Sequence, residues 1–239
     1  MRCRPTATSI EASKGGDATA RFADRAAAGR ELGALLAERD AGPDAIVLGL
    51  PRGGLPVAAQ VAAAIKAPLD MFSVRKLGVP GYPELAMGAV ATGGVRVLNN
   101  DVLASAPDIS EDELEAITQQ ELEELRRREQ TYRGDRPPPD LSDRTAILVD
   151  DGLATGATMR AAVAAARRSA GKVIVAAPVA SWQAVAQLER EADDVVVVYV
   201  PKRLGAVGMY YDDFRQVSDR EVIDILSNAR KPETTISRG

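Results

Sequence analysis

In the stretch Ile147-Leu-Val-Asp150-Asp151-Gly152-Leu-Ala-Thr155-Gly156-Ala-Thr158, an apolar run ends in two adjacent carboxylates and a turn of small residues follows. Glycine, alanine and threonine let the backbone fold tightly, so that consecutive N–H groups point into one concavity. The helix expected next adds unpaired amides and its positive end, which favour a phosphate dianion. Thr155 and Thr158 bring hydroxyl donors. Two acids beside an anion site need another partner, and vicinal sugar hydroxyls or a hydrated Mg²⁺ would supply it. The residues therefore ask for a ligand with a phosphate at one end and a diol beside it. No Gly-Lys-Ser/Thr follows, so this is not a Walker A loop. The plainer alternative, a strand–turn–helix connection whose acids cap the helix, accounts less well for the small residues after the acid pair.

A second glycine turn, Gly49-Leu-Pro51-Arg52-Gly53-Gly54-Leu55, follows another apolar run. Amides at Arg52–Gly54 and the Arg52 guanidinium suit a larger anion such as pyrophosphate. Alone the pattern is common. Paired with the first turn it gains specificity, because ligands of open α/β sheets bind at the carboxyl ends of strands.

Composition narrows the chemistry. The 239 residues contain no histidine, which excludes imidazole bases, Ser-His-Asp and Cys-His sites, and His-ligated zinc. The single cysteine, Cys3, cannot form an internal disulfide, which fits a reducing cytoplasm. Thirty Lys+Arg against 34 Asp+Glu give a net charge of −4, poor footing for a nucleic-acid binder. No apolar run reaches the ~18 residues of a membrane helix, and the start has no secretory h-region. At 46% apolar residues the chain can bury a substantial core.

The elements that must position these turns alternate along the chain. Strands are expected at Ala45–Leu50, Leu69–Val74, Leu85–Ala91, Thr145–Asp150, Lys172–Val179 and Asp194–Val200, with Val95–Leu98 as a hairpin partner. Helices are expected at Phe22–Arg39, Leu55–Lys66, Ala157–Ala170, Trp182–Glu191 and Asp219–Ala229. Unalternating apolar strands followed by helices describe a mostly parallel, Rossmann-like α/β sheet with helices on both faces. A helical insertion spans 101–139, beginning with the capping box Ser110–Glu113; Arg126, Arg127 and Arg128 at its end read as a solvated helix terminus. Segments 1–20 and 231–239 read as a flexible leader and tail around one domain, 21–230.

The two turns resemble those of the type I phosphoribosyltransferases, whose signature is four apolar residues, two acids and a Gly/Thr-rich loop. The resemblance runs from about Phe22 to Val222 and implies that family's fold, with a small C-terminal hood at 201–217. It implies that Ala154, Thr155, Gly156, Ala157 and Thr158 hold the 5-phosphate of phosphoribosyl pyrophosphate (PRPP). Asp150 and Asp151 would take its ribose hydroxyls and Mg²⁺, directly or through water. Arg52, Gly53 and Gly54 would bind pyrophosphate, with a non-proline cis peptide expected at Pro51–Arg52. The implied reaction displaces pyrophosphate from the anomeric carbon by a nitrogenous base or related amine. The family's mobile loop would be Arg75–Glu84, with Arg75 and Lys76 reaching the leaving group; the alternative is that both are only solvated strand-end charges.

In the hood, Tyr210, Tyr211 and Phe214 are base-pocket candidates, and an ordinary hydrophobic cluster docking the last helix is an equal alternative. Ala154 stands where the hypoxanthine-guanine branch carries an acid, so help for the acceptor comes from elsewhere, or none is given. A non-catalytic PRPP-binding regulator is the competing function. It is disfavoured because no DNA-binding module is visible and a pure sensor has no need to clamp pyrophosphate. The expected partners are PRPP and a small acceptor, with no membrane or nucleic acid, and a homodimer is compatible with the sequence.

Overall fold

The computed structural model describes residues 21–39, 41–105 and 109–229. The leader with Cys3 and the tail 231–239 lie outside the described residues. The β-branched runs form a five-stranded, wholly parallel sheet: β1 (Ile46–Gly49), β2 (Leu69–Met71), β6 (Thr145–Val149), β7 (Lys172–Val179) and β8 (Asp194–Tyr199), ordered β2-β1-β6-β7-β8.

Because side chains alternate across a strand, each run feeds both faces. Val47, Ile147, Val149 and Ile174 pack under α1 (Arg25–Ala37) and α2 (Gly54–Ile65). Leu48, Leu148, Val173 and Val175 pack under α5 (Ala157–Ala166) and α6 (Trp182–Leu188). Helices α1 and α2 approach closely at Gly29, where a Cβ would lie 2.7 Å from the Val57 carbonyl oxygen. The parallel α/β sheet with helices on both faces expected from the sequence is therefore present.

A second sheet is antiparallel, built from β3 (Val74–Val79), β4 (Tyr82–Ala91) and β5 (Val95–Leu98). This corrects one expectation. The segment Arg75–Glu84 is not a loop but β3, a two-residue turn and the start of β4. Gly81, at φ +78°, supplies the left-handed residue that the Pro80-Gly81 turn requires, and the flanking strands pair up to Val79 opposite Tyr82.

The insertion contributes α3 (Asn100–Ser105) and α4 (Glu111–Arg133). The Ser110–Glu113 capping box forms as expected. Leu122 and Leu125 of α4 cover the hairpin residues Leu77, Val79, Met87 and Val90. At its far end Arg133, only 4% exposed, bonds Asp70, Glu129 and the Met71 carbonyl, which fastens the helix to β2. The insertion is thus a brace behind the second sheet. The last helix, α7 (Asp219–Asn228), starts with its own capping box at Ser218–Glu221 and packs on Leu55, Met71 and Tyr132.

Candidate active site

Gly49 of β1 pairs with Val149 of β6, so both glycine turns leave the sheet from adjacent strand ends. The Leu50 amide donates to the Val149 carbonyl at 2.8 Å, which carries the pairing one residue into the turn. Beyond it, the Pro51–Arg52 peptide is cis, as the resemblance implied. The glycines then lie against the acid pair. A Cβ at Gly53 would fall 2.0 Å from Asp151 Oδ2, and one at Gly54 would fall 2.5 Å from the Val149 carbonyl oxygen. No residue with a side chain fits this approach.

The amides of Arg52 and Gly53 meet no acceptor among the described residues, which leaves them open to an anion. The Arg52 guanidinium reaches Asp219 Oδ1 at 3.4 Å, at the N-terminus of α7. Asp219 also accepts from the Tyr132 hydroxyl at 2.6 Å, and burial with this carboxylate contact pushes the Tyr132 phenol up to about 12.

The turn after β6 is exposed at Ala154, Thr155, Ala157 and Thr158, while Gly156 is buried. Gly156 caps α5 in the left-handed conformation, φ +72°, and a Cβ there would meet that of Ala184 at 3.1 Å. Ser181 Oγ donates to the Ala154 carbonyl at 2.6 Å, so the loop is fixed from behind by the start of α6. The amides of Thr155, Gly156 and Thr158 have no acceptor among the described residues. Thr155 Oγ1 accepts from the Ala157 amide at 3.4 Å.

Between the two turns sit the acids. Burial pushes the Asp150 carboxyl well above the usual carboxylate range, and the neighbouring Asp151 charge pushes it the same way. Burial also raises Asp151, opposed by a hydrogen bond from Arg25. Asp150 Oδ1 accepts from the Asp151 amide at 2.9 Å, and Asp151 Oδ2 accepts from Arg25 Nε at 2.7 Å. The other oxygen of each carboxylate has no donor among the described residues. Two half-satisfied carboxylates in a partly dehydrated position favour a ligand that brings hydroxyl donors or positive charge.

The second sheet closes the other side. A cleft of about 690 Å³ is lined by Arg75, Lys76, Gly78, Pro80, Glu121 and Thr158, so β3 faces the end of the turn after β6. Arg75 is held in the structure by Glu121 of α4, Nε to Oε2 at 2.5 Å. Lys76 also lines a neighbouring groove with Ala157 and Arg160, which places it over the start of α5.

The hood candidates separate. Tyr210 and Tyr211 are 7% and 2% exposed, and their rings are packed rather than open to a base. The physical reason is a partner distant in sequence. Phe22 bridges to Tyr211, donating its amide to the Tyr210 carbonyl and accepting from the Asp212 amide, both at 2.8 Å. The Tyr211 hydroxyl donates to the Asp151 carbonyl at 2.6 Å, so it supports the acid turn instead. The cluster docks the segment before α1, not the last helix. Phe214 is half-buried and carries the Arg25 guanidinium carbon 3.9 Å from its ring centroid. Arg25 is the site residue that pattern reading missed; as the first residue of a packing helix it gives no local signal.

Among the described residues, no helix is long and apolar enough to cross a membrane. The family model for the phosphoribosyl transferase domain matches residues 20–213. Two relatives from Mycobacterium tuberculosis, strains CDC 1551 / Oshkosh and H37Rv, carry the name "Putative phosphoribosyl transferase". Each is 46% identical over 211 residues, covering 88% of this chain and 47% of its own. The chain therefore spans about half the length of these curated relatives. The crystal structure of TT1426 from Thermus thermophilus is 42% identical with a TM-score of 0.80, covering 87% of this chain and 98% of that one. With the domain match running through both turns and the acid pair, the chain belongs to the phosphoribosyl transferase family.

Proposed function

We propose that the protein transfers the 5-phosphoribosyl group of PRPP to a nitrogen nucleophile, a nucleobase or related amine, with release of pyrophosphate. One observation carries this reading: two turns with unpaired amides leave adjacent strands, with the acid pair between them. This order of groups suits a ligand with a phosphate at each end and a diol in the middle.

The residues act by position and charge. Ala154–Thr158 take the 5-phosphate on amides and hydroxyls. The open oxygens of Asp150 and Asp151 accept from the ribose hydroxyls. Arg52, Gly53 and Gly54 receive the pyrophosphate, with Lys76 approaching from β3. The acceptor nitrogen bonds to C1 as the C1–O bond breaks, and pyrophosphate leaves with the electron pair. The acceptor's proton is released to the surroundings as the C1–N bond forms, and no histidine is present to receive it.

The donor set fits Mg²⁺. Among the described residues no group of three or more His, Cys, Asp or Glu is disposed to hold a metal ion by itself. Mg²⁺ characteristically takes one or two carboxylates and completes its shell with water and phosphate oxygens. Asp150 and Asp151 would hold the ion, directly or through water. When bound, it supplies positive charge to the departing pyrophosphate.

The test is PRPP binding by calorimetry with and without Mg²⁺, followed by a screen of bases for pyrophosphate release. Mg²⁺-dependent binding with release for one acceptor is expected. Binding without release for any acceptor would favour the regulator, and absence of binding would end the proposal.

A further inference from the structure

Arg25 ties the acid turn to the hood segment, with one contact to Asp151 and others to Phe214 and Arg215. Its Nε donates to Asp151 Oδ2 at 2.7 Å, between side chains only 11% and 16% exposed. A second guanidinium nitrogen donates to the Arg215 carbonyl at 2.8 Å, and the guanidinium carbon stands 3.9 Å from the Phe214 ring centroid. The hood grips the same turn independently, through the Tyr211 hydroxyl on the Asp151 carbonyl at 2.6 Å. We infer that Arg25 is a positioning residue, which holds one oxygen of Asp151 against the Gly53 wall so that only the second is available to the ribose diol. This inference rests on the proposed reading of Asp150 and Asp151 as diol ligands.

The geometry favours this role over a merely stabilising ion pair. Without Arg25, Asp151 Oδ2 would lie partly dehydrated against Gly53 with no donor, and the carboxylate would rotate to seek one. A planar fork also does what an ammonium cannot: it bonds the carboxylate and the hood carbonyl from two nitrogens while its face lies on an aromatic ring. The position of Asp151 is thereby tied to that of segment 211–215 and to the start of α1.

The test compares two probes that differ by the diol. Ribose 5-phosphate and inorganic phosphate are titrated by calorimetry into the wild-type chain, Arg25→Gln and Arg25→Lys, each checked for folding by circular dichroism and thermal melting. Ribose 5-phosphate affinity should fall about tenfold in Arg25→Gln and less in Arg25→Lys, while inorganic phosphate affinity stays within about twofold. A general loss of structure would weaken both probes together. Unchanged ribose 5-phosphate affinity in Arg25→Gln overturns the positioning role alone. If Arg25→Gln does not fold, Arg25→Lys decides: a selective loss for ribose 5-phosphate supports the role and wild-type affinity overturns it. A wild-type chain that binds ribose 5-phosphate no better than phosphate overturns both this inference and the reading it rests on.

Discussion

Gly53 and Asp151 stand so close that a methyl group on the glycine would lie 2.0 Å from the carboxylate oxygen Oδ2. The wall of one turn is therefore the backing of the other, and neither can move without disturbing its neighbour. Replacing Gly53 by Ala must displace Asp151 or unseat the Pro51–Gly54 turn. Stability should fall by about 1–3 kcal/mol, as overpacking of a tight contact does. PRPP affinity should fall at least about tenfold, or 1.4 kcal/mol. Calorimetry and urea unfolding check the two arms; a variant with native affinity would show that the turns are not coupled.

Asp150 carries a pH-dependent cost. Its folded carboxyl is raised above the unfolded value, first by burial and then by the Asp151 charge. The folded state therefore holds a proton that the unfolded chain, near pH 3.9, has already released. Stability falls as pH rises through that window and the penalty is complete above the folded value. Asp150→Asn keeps an oxygen for the Asp151 amide and removes the penalty. At neutral pH without ligand it should melt higher than the wild type, with the difference vanishing as pH approaches about 4. Melting curves across this range test it, and an equal or lower melting point at pH 7 contradicts it. The double variant Asp150→Asn/Asp151→Asn should keep the fold and lose PRPP turnover.

Lys76 and Arg75 are neighbours on β3, and both line the cleft that holds Thr158; Arg75 is in addition bonded to Glu121 of the bracing helix. Lys76→Ala should lower kcat by about 100-fold while PRPP affinity changes little, because charge on the leaving group develops during transfer. Arg75→Ala should cost kcat less. Steady-state kinetics with the acceptor found by screening would show the split, and equal losses would deny Lys76 its special place.

Arg133 is a buried cation whose charge is balanced by Asp70 and Glu129. Arg133→Met strands both carboxylates and frees the Met71 carbonyl. Unfolding free energy should fall by about 3–5 kcal/mol. Denaturant titration measures it, and a loss under about 1 kcal/mol would mean that the brace does not depend on this anchor.

The two glycine turns, the acid pair and the parallel sheet could be read from the residues, because each is a local property. Runs such as Ile147–Val149 specify buried strands, small residues specify tight turns, and Ser110 and Ser218 mark helix starts. Segment 75–84 misled because glycine and proline announce a turn without saying whether its flanks will pair. Tyr210 and Tyr211 were ambiguous for a related reason: an aromatic side chain looks the same whether it will meet a ligand or Phe22.

Contacts across long stretches of chain arise only on folding. Arg25 meets Asp151 across 126 positions, and Arg75 meets Glu121 across 46. Periodicity records which face of an element is buried, but it carries no information about which distant element covers that face. Two glycine-rich turns and a carboxylate pair are legible in the residues alone. Sheet register, setting Gly49 beside Val149, made them one site, because parallel strands share a carboxyl edge only once the chain has folded.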